Sequence, residues 1–371
     1  MNPLAGRGSA ATPLAAVMAM LVLYASLYPF EGWRWPPGQG LPALLSLPWP
    51  PWRDPIDQLL NFLGYLPLGL LAMLALRRRG LAWGLCLTGA LSFAALLSYV
   101  SEVLQHLLPG RHPSLKDWAF NLLGAACGAA LTRLLASLGL LGRWQQVREA
   151  WFVRRSAGAL ALLALWPVGL LFPAPAPWAL GQFGGTLREH LAGLVDGVDW
   201  ALDLRDWLAQ PDTSQPLGPL AMVSVSTLGL LAPCLVAVAI ARPGWRRLVL
   251  ASGALLLGGL AMTLSTLLNF GPQHALAWLT PAGNLALVLG AAGALVAALL
   301  PSKLAAGLGL CVIAAQVAMV ANAPWDPYFA ISLQAWEQGR WVRLHGLAQW
   351  VGWLWPLMAM GWLLWRVGHR E

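Results

Sequence analysis

The residues best placed to do chemistry lie in the first 125 positions, and they come as a repeated pattern. Asp57-x-x-x-Asn61-x-x-Gly64 recurs sixty residues later as Asp117-x-x-x-Asn121-x-x-Gly124. Spacing of four puts each Asp and Asn on one side of a helix, with the glycine one turn on, allowing a neighbouring helix to come close. Between the copies lie Ser98, Ser101, Glu102, Gln105 and His106. Glu102, Gln105 and His106, at i, i+3 and i+4, share one face. The next turn, Leu108-Pro-Gly-Arg111-His112-Pro-Ser114, carries a cation. Paired with a positioned water, Glu102 or Asp117 could act as a general base. Arg111 could meet a phosphate through two parallel N–H bonds, or pair with Glu102 and fix the turn. Each Asp also suits a plain helix N-cap, and each Asn an interhelical hydrogen bond. No GxSxG, HExxH or Walker loop accompanies them.

These groups sit in a chain built for lipid. It is 58% hydrophobic and only 10% charged, with a mean hydropathy of +0.63. That is too little charge to coat a water-soluble domain. Apolar runs long enough to cross a bilayer lie near 11–28, 57–76, 81–107, 117–139, 156–172, 217–241, 246–268, 282–300, 304–322 and 347–366. The expected fold is therefore an all-α, polytopic membrane bundle of about ten helices. The first run lacks a small-x-small cleavage site and reads as an uncleaved helix.

The net charge of +8 comes from clusters between runs, as topology signals do, and no basic stripe suits a nucleic acid. With the N-terminus inside, 15 of the 23 Lys and Arg fall on the inner face, including Arg77–Arg78–Arg79, Arg246 and Arg247. Both termini are then cytoplasmic, and Asp57, Asn61, Glu102, Gln105, Arg111, Asp117 and Asn121 converge on the outer leaflet. Trp33 and Trp35 flank the same region, where indoles favour the interface. Cys86, Cys127, Cys234 and Cys311 lie inside apolar runs without CxxC spacing and read as buried packing residues.

The connection 173–216 is expected outside. It opens PAPAP and continues as an amphipathic helix near 186–209, with Leu187, Leu191, Leu194, Val198 and Leu202 on one face. Glu189, Asp196, Asp199, Asp203 and Asp206 form the other. Such oxygens suit a hard divalent cation, and a solvated acidic face is the simpler reading, so no metal is assigned. Asn269, Gln273, His274 and Asn284 read as hydrogen-bonding groups at helix ends.

The runs YASLYPF (24–30), NFLGYLPLG (61–69), S-x-x-S-E-x-x-Q (98–105), GRHPSLKD (110–117) and NLLG (121–124) resemble the VanZ-like family in order and spacing, over roughly residues 15–140. His112 departs from it, standing where a small polar residue is commoner. The family's founding member is associated with teicoplanin resistance, and other members lie beside envelope or exopolysaccharide genes. The resemblance implies an envelope protein of the bacterial plasma membrane whose signature residues include Asn61, Pro67, Gly69, Glu102, Gln105, Arg111, Asp117 and Asn121. It supplies neither a reaction nor a cofactor. The expected organisation is a four-helix unit over 1–140 and a six-helix extension over 141–371. The expected partner is a membrane lipid, lipid-linked precursor or glycopeptide-type compound, bound rather than converted. An enzyme using Glu102 or Asp117, and a transporter or flippase, remain open.

Overall fold

The apolar runs all become helices. The computed structural model describes residues 11–28, 30, 32–50, 55–153, 155–208, 216–324 and 342–369. Among these the protein is helical, with no strand beyond one isolated bridge between Phe152 and Ala241. Seven helices are long and apolar enough to cross a membrane. Two further apolar helices are shorter, and a 27-residue helix closes the described chain. The terminal residues 1–10 and 370–371 lie outside the described residues. The chain divides into two compact units, Met1–Ala150 and Trp151–Glu371.

The first unit contains α1 (Ala11–Leu27), a short α2 (Leu41–Leu45), α3 (Pro55–Arg78), α4 (Trp83–Gln105), α5 (Leu115–Ser137) and α6 (Leu140–Trp151). Its tightest seam joins α3 and α5, which run parallel. Gly124 lies against Phe62 and Gly128 against Leu66, and the Thr132 hydroxyl donates to the Leu70 carbonyl at 3.1 Å. A Cβ on Gly128 would fall 2.0 Å from the Leu66 carbonyl oxygen, and one on Gly69 2.1 Å from that of Ala125. Only glycine permits backbones this close. At the far end of these helices, Arg77 and Arg133 both lie over the Trp83 ring, attracted by the negative face of the indole.

The second unit contains α7 (Ala157–Gly169), α8 (Gly184–Leu194), α9 (Leu202–Leu208), α10 (Pro219–Ile240), α11 (Trp245–Phe270), α12 (Pro281–Ala298), α13 (Ser302–Val320) and α14 (Val342–Gly368). Helix α10 is apolar on every side and is buried along most of its length, as such a helix must be. It packs against α7, α11, α12 and α13. Arg247, one of the expected inner-face charges, is buried instead. Its guanidinium donates to Ser302 Oγ at 2.8 Å and to the Leu300 carbonyl, clamping the α12–α13 turn.

The connection 173–216 differs in form from the reading above. Its proline-rich stretch packs into the unit: Phe172, Pro173, Ala176 and 178–182 are buried. At 13 residues, α7 is about 20 Å long, short of the roughly 30 Å hydrocarbon core. The chain continues from it as irregular backbone. The amphipathic helix is also broken. Gly197, at φ +76°, ends the first half in a conformation few L-residues tolerate. A 3-10 turn at Asp199–Ala201 then leads into α9. An Arg205–Asp196 ion pair at 3.1 Å spans the break. Leu187, Leu191, Leu194 and Trp200 are exposed. Among the described residues no three His, Cys, Asp or Glu side chains gather as a metal set. Of the cysteines, Cys86 and Cys234 are buried, but Cys127 and Cys311 are exposed on helix faces.

Candidate functional site

The turn between α4 and α5 is built around one carboxylate. Glu102, 4% exposed, accepts the Ser114 amide at 2.8 Å. Ser114 is the N-cap of α5, and its hydroxyl in turn accepts the amides of Lys116 and Asp117, both at 3.2 Å. Extended backbone at Ser114 is what an N-cap requires, and the preceding Pro113 starts no competing helix. Gly110, at φ +74°, supplies the reversal. Asp117 follows, 7% exposed and in the first turn of α5, where the helix dipole favours negative charge.

One turn further in, Asn121 Nδ2 donates to Ser98 Oγ at 2.9 Å, while its buried Oδ1 has no hydrogen-bond partner. The buried Tyr65 of α3 brings its hydroxyl beside Ser98, Ser101 and Glu102. Trp118 Nε1 donates to the Ala95 carbonyl at 3.0 Å, fixing α5 against α4. Three helices thus close a polar nest of Tyr65, Ser98, Ser101, Glu102, Ser114, Asp117 and Asn121.

Two expected members serve the rim instead. Gln105 Nε2 donates to the Ser26 carbonyl at 3.2 Å, and the Arg111 guanidinium donates to the Tyr28 carbonyl. Both tie the α4–α5 turn to the end of α1. Arg111 thus reaches beyond its own turn, to the backbone at the end of α1. The 32–48 segment is fastened alongside: Arg34 N–H to the Leu107 carbonyl, Leu115 N–H to that of Pro48, and the Tyr99 hydroxyl to that of Leu45.

The doubled motif has a structural meaning and an asymmetry. Because α3 and α5 are parallel at an offset of 62 residues, set by the 62–124 and 66–128 contacts, the two copies lie at nearly the same level. Helix α4, however, supplies Ser98 to Asn121 alone. Asp117 and Asn121 are buried, whereas Asp57 is exposed and Asn61 half-buried. Gly124 makes the close approach its motif suggests, while Gly64 faces open space.

Sequence reasoning left four nest residues out of the site: Tyr65, Ser98, Ser101 and Ser114. Spacing held the signal. Tyr65 continues the Asp57, Asn61 series at i+8, Ser98 precedes Glu102 by four, and Ser114 stands three before Asp117 as an N-cap should. The arrangement presents two buried carboxylates, one unpaired amide oxygen and a rim carrying Arg34, Arg111 and Lys116. It suits a ligand with both hydrogen-bonding and anionic groups.

No curated protein and no solved structure matches the chain. Beyond residue 136 it matches no family model either. Residues 11–136, about a third of the chain and the whole of the nest, match the family model described as VanZ/LLP1, in agreement with the resemblance carried by the motifs.

Proposed function

We propose that this is a VanZ-like, multi-pass protein of the bacterial plasma membrane whose N-terminal unit binds the polar head of a lipid-linked envelope precursor or of a glycopeptide-type compound. The observation that carries this reading is the nest itself. Buried polar groups are expensive beside lipid, and this unit gathers seven at one end of a helix bundle. The distribution of Lys and Arg supports an outer position for that end, with both termini cytoplasmic. Arg111 spends part of its donor set on Tyr28 and keeps further N–H groups for a phosphate. Apolar surfaces of α3 and α4, exposed at Leu59, Leu63 and Leu96, offer walls for an acyl chain. Binding is placed ahead of catalysis because Glu102 is already committed to the Ser114 amide, a positioning role.

Native mass spectrometry of the purified protein tests it. Wild type is expected to retain an envelope lipid with a phosphorylated or glycosylated head, and Arg111→Ala to lose most of it. Absence of any such lipid from both proteins overturns the proposal. If Glu102→Gln keeps the lipid yet accumulates an unconverted one, the site is an enzyme's.

A further inference from the structure

The irregular segment after α7 is buried where a membrane protein can least tolerate free backbone. Trp178 packs its carbonyl against Gly229, halfway along α10, and its indole against Gly258, halfway along α11. Non-helical chain at such depth persists only when surrounding protein satisfies its polar groups. Here side-chain amides do so. Gln316 Nε2 bridges the Trp178 and Leu180 carbonyls at 3.4 and 3.3 Å. Asn269 Nδ2 and Ser265 Oγ donate to the Leu171 carbonyl, both at 3.2 Å. The Gly181 amide donates to the Gly352 carbonyl at 3.0 Å. Trp178 itself adopts φ +58°, an outlier for a bulky residue.

Beside this backbone lies a cleft with about 10 Å³ of free volume, the room one hydroxyl or water occupies. Gln182, 7% exposed, and Trp353, 9% exposed, both line it. Gln182 is held by its Nε2, which donates to the Ala323 carbonyl at 2.7 Å. Its Oε1 and the indole N–H of Trp353 are buried and have no hydrogen-bond partner. One is an acceptor and the other a donor. A single hydroxyl answers both, donating to Gln182 and accepting from Trp353. Among the described residues no ionisable side chain lines the cleft, which favours a neutral ligand. The ring of Phe172 stands edge-to-face with Trp353, centroids 6.5 Å apart, and such faces suit the C–H surface of a sugar ring.

We propose that the cleft between Gln182 and Trp353 is a second binding site, which takes a hydroxyl of a neutral polyol head, either on a lipid or on a free sugar. It belongs wholly to the C-terminal unit and does not depend on the function assigned to the nest.

The test uses the full chain in nanodiscs, with glucosyl-diacylglycerol, phosphatidylglycerol and free glucose as probes. Native mass spectrometry reads the two lipids, and saturation-transfer NMR reads glucose. Trp353→Phe removes the N–H while keeping an aromatic ring against Phe172; Gln182→Leu removes the acceptor. Glucosyl-diacylglycerol is expected to bind wild type and to weaken at least tenfold in both variants. Glucose binding with the same dependence assigns a soluble polyol, and lipid binding alone assigns a headgroup. The proposal is overturned if the variants bind as wild type does, if phosphatidylglycerol binds as well as the glucoside, or if no probe binds.

Discussion

In the N-terminal unit the buried polar atoms belong to side chains at helix ends; in the C-terminal unit many belong to backbone halfway along helices. The nest around Glu102 and Asn121 leaves every helix intact and borrows an N-cap to do it. The segment around Trp178 gives up helix altogether and recruits Gln316, Asn269 and Ser265 to replace the lost ladder. The first solution needs charged and amide residues in motif spacing. The second needs prolines, small residues and a few amides scattered across distant helices. One bundle therefore shows its polar site openly in the chain, and the other hides it.

The sharpest way to test the first unit is through its seam. Gly128→Ala drives a Cβ onto the Leu66 carbonyl and is expected to cost about 3 kcal/mol in denaturant unfolding of the micelle-bound protein. Gly64→Ala, with nothing within 4 Å, should be neutral or stabilise by about 0.5–1 kcal/mol. Equal losses at the two glycines would mean the α3–α5 register is wrong.

Next in size is Gln316→Leu, which strands two buried carbonyls. A loss of about 2 kcal/mol is expected, with faster amide exchange confined to 172–182 in hydrogen–deuterium mass spectrometry. Unchanged exchange there would show that the irregular segment does not lean on Gln316.

Ser114→Ala should cost about 1 kcal/mol, the ordinary worth of an N-cap, with the fraying detected by exchange at the start of α5. Smallest is Ser98→Ala. Interhelical side-chain hydrogen bonds in membranes average about 0.6 kcal/mol, so only a minor shift in the unfolding midpoint is expected. Should Ser98→Ala prove as costly as Gln316→Leu, the contrast between side-chain and backbone solutions fails.

How much of this the chain disclosed follows from the same contrast. All ten apolar runs coincide with helices, because hydropathy and length are properties of contiguous residues. The shared face of Asp117 and Asn121 was legible for the same reason, since an interval of four reports a helical face; their burial was not, because Asp57 and Asn61 carry the same spacing and stay exposed or half-buried. The partners were not: Arg111 turns to the Tyr28 carbonyl, and a carbonyl leaves no mark in composition. The depth of PAPAPWALGQ was hidden too. Proline-rich chain reads as a surface connection, and only the distant Gln316, Gly229 and Gly352 make an interior place for it. Arg247, read from sequence only as an orientation signal, also clamps a turn, a role decided by where the Leu300 carbonyl ends up.

The glycine seam between α3 and α5 also bears on the order in which the protein is made. Every atom of it lies between Phe62 and Thr132, with α4 as the connecting arm. Glycines have no rotamers to freeze, so their share of the seam costs no side-chain entropy. Domains generally fold as units during synthesis, the N-terminal one first. This pair of helices can lock while the ribosome is still translating the second unit, before later helices are available to compete for it.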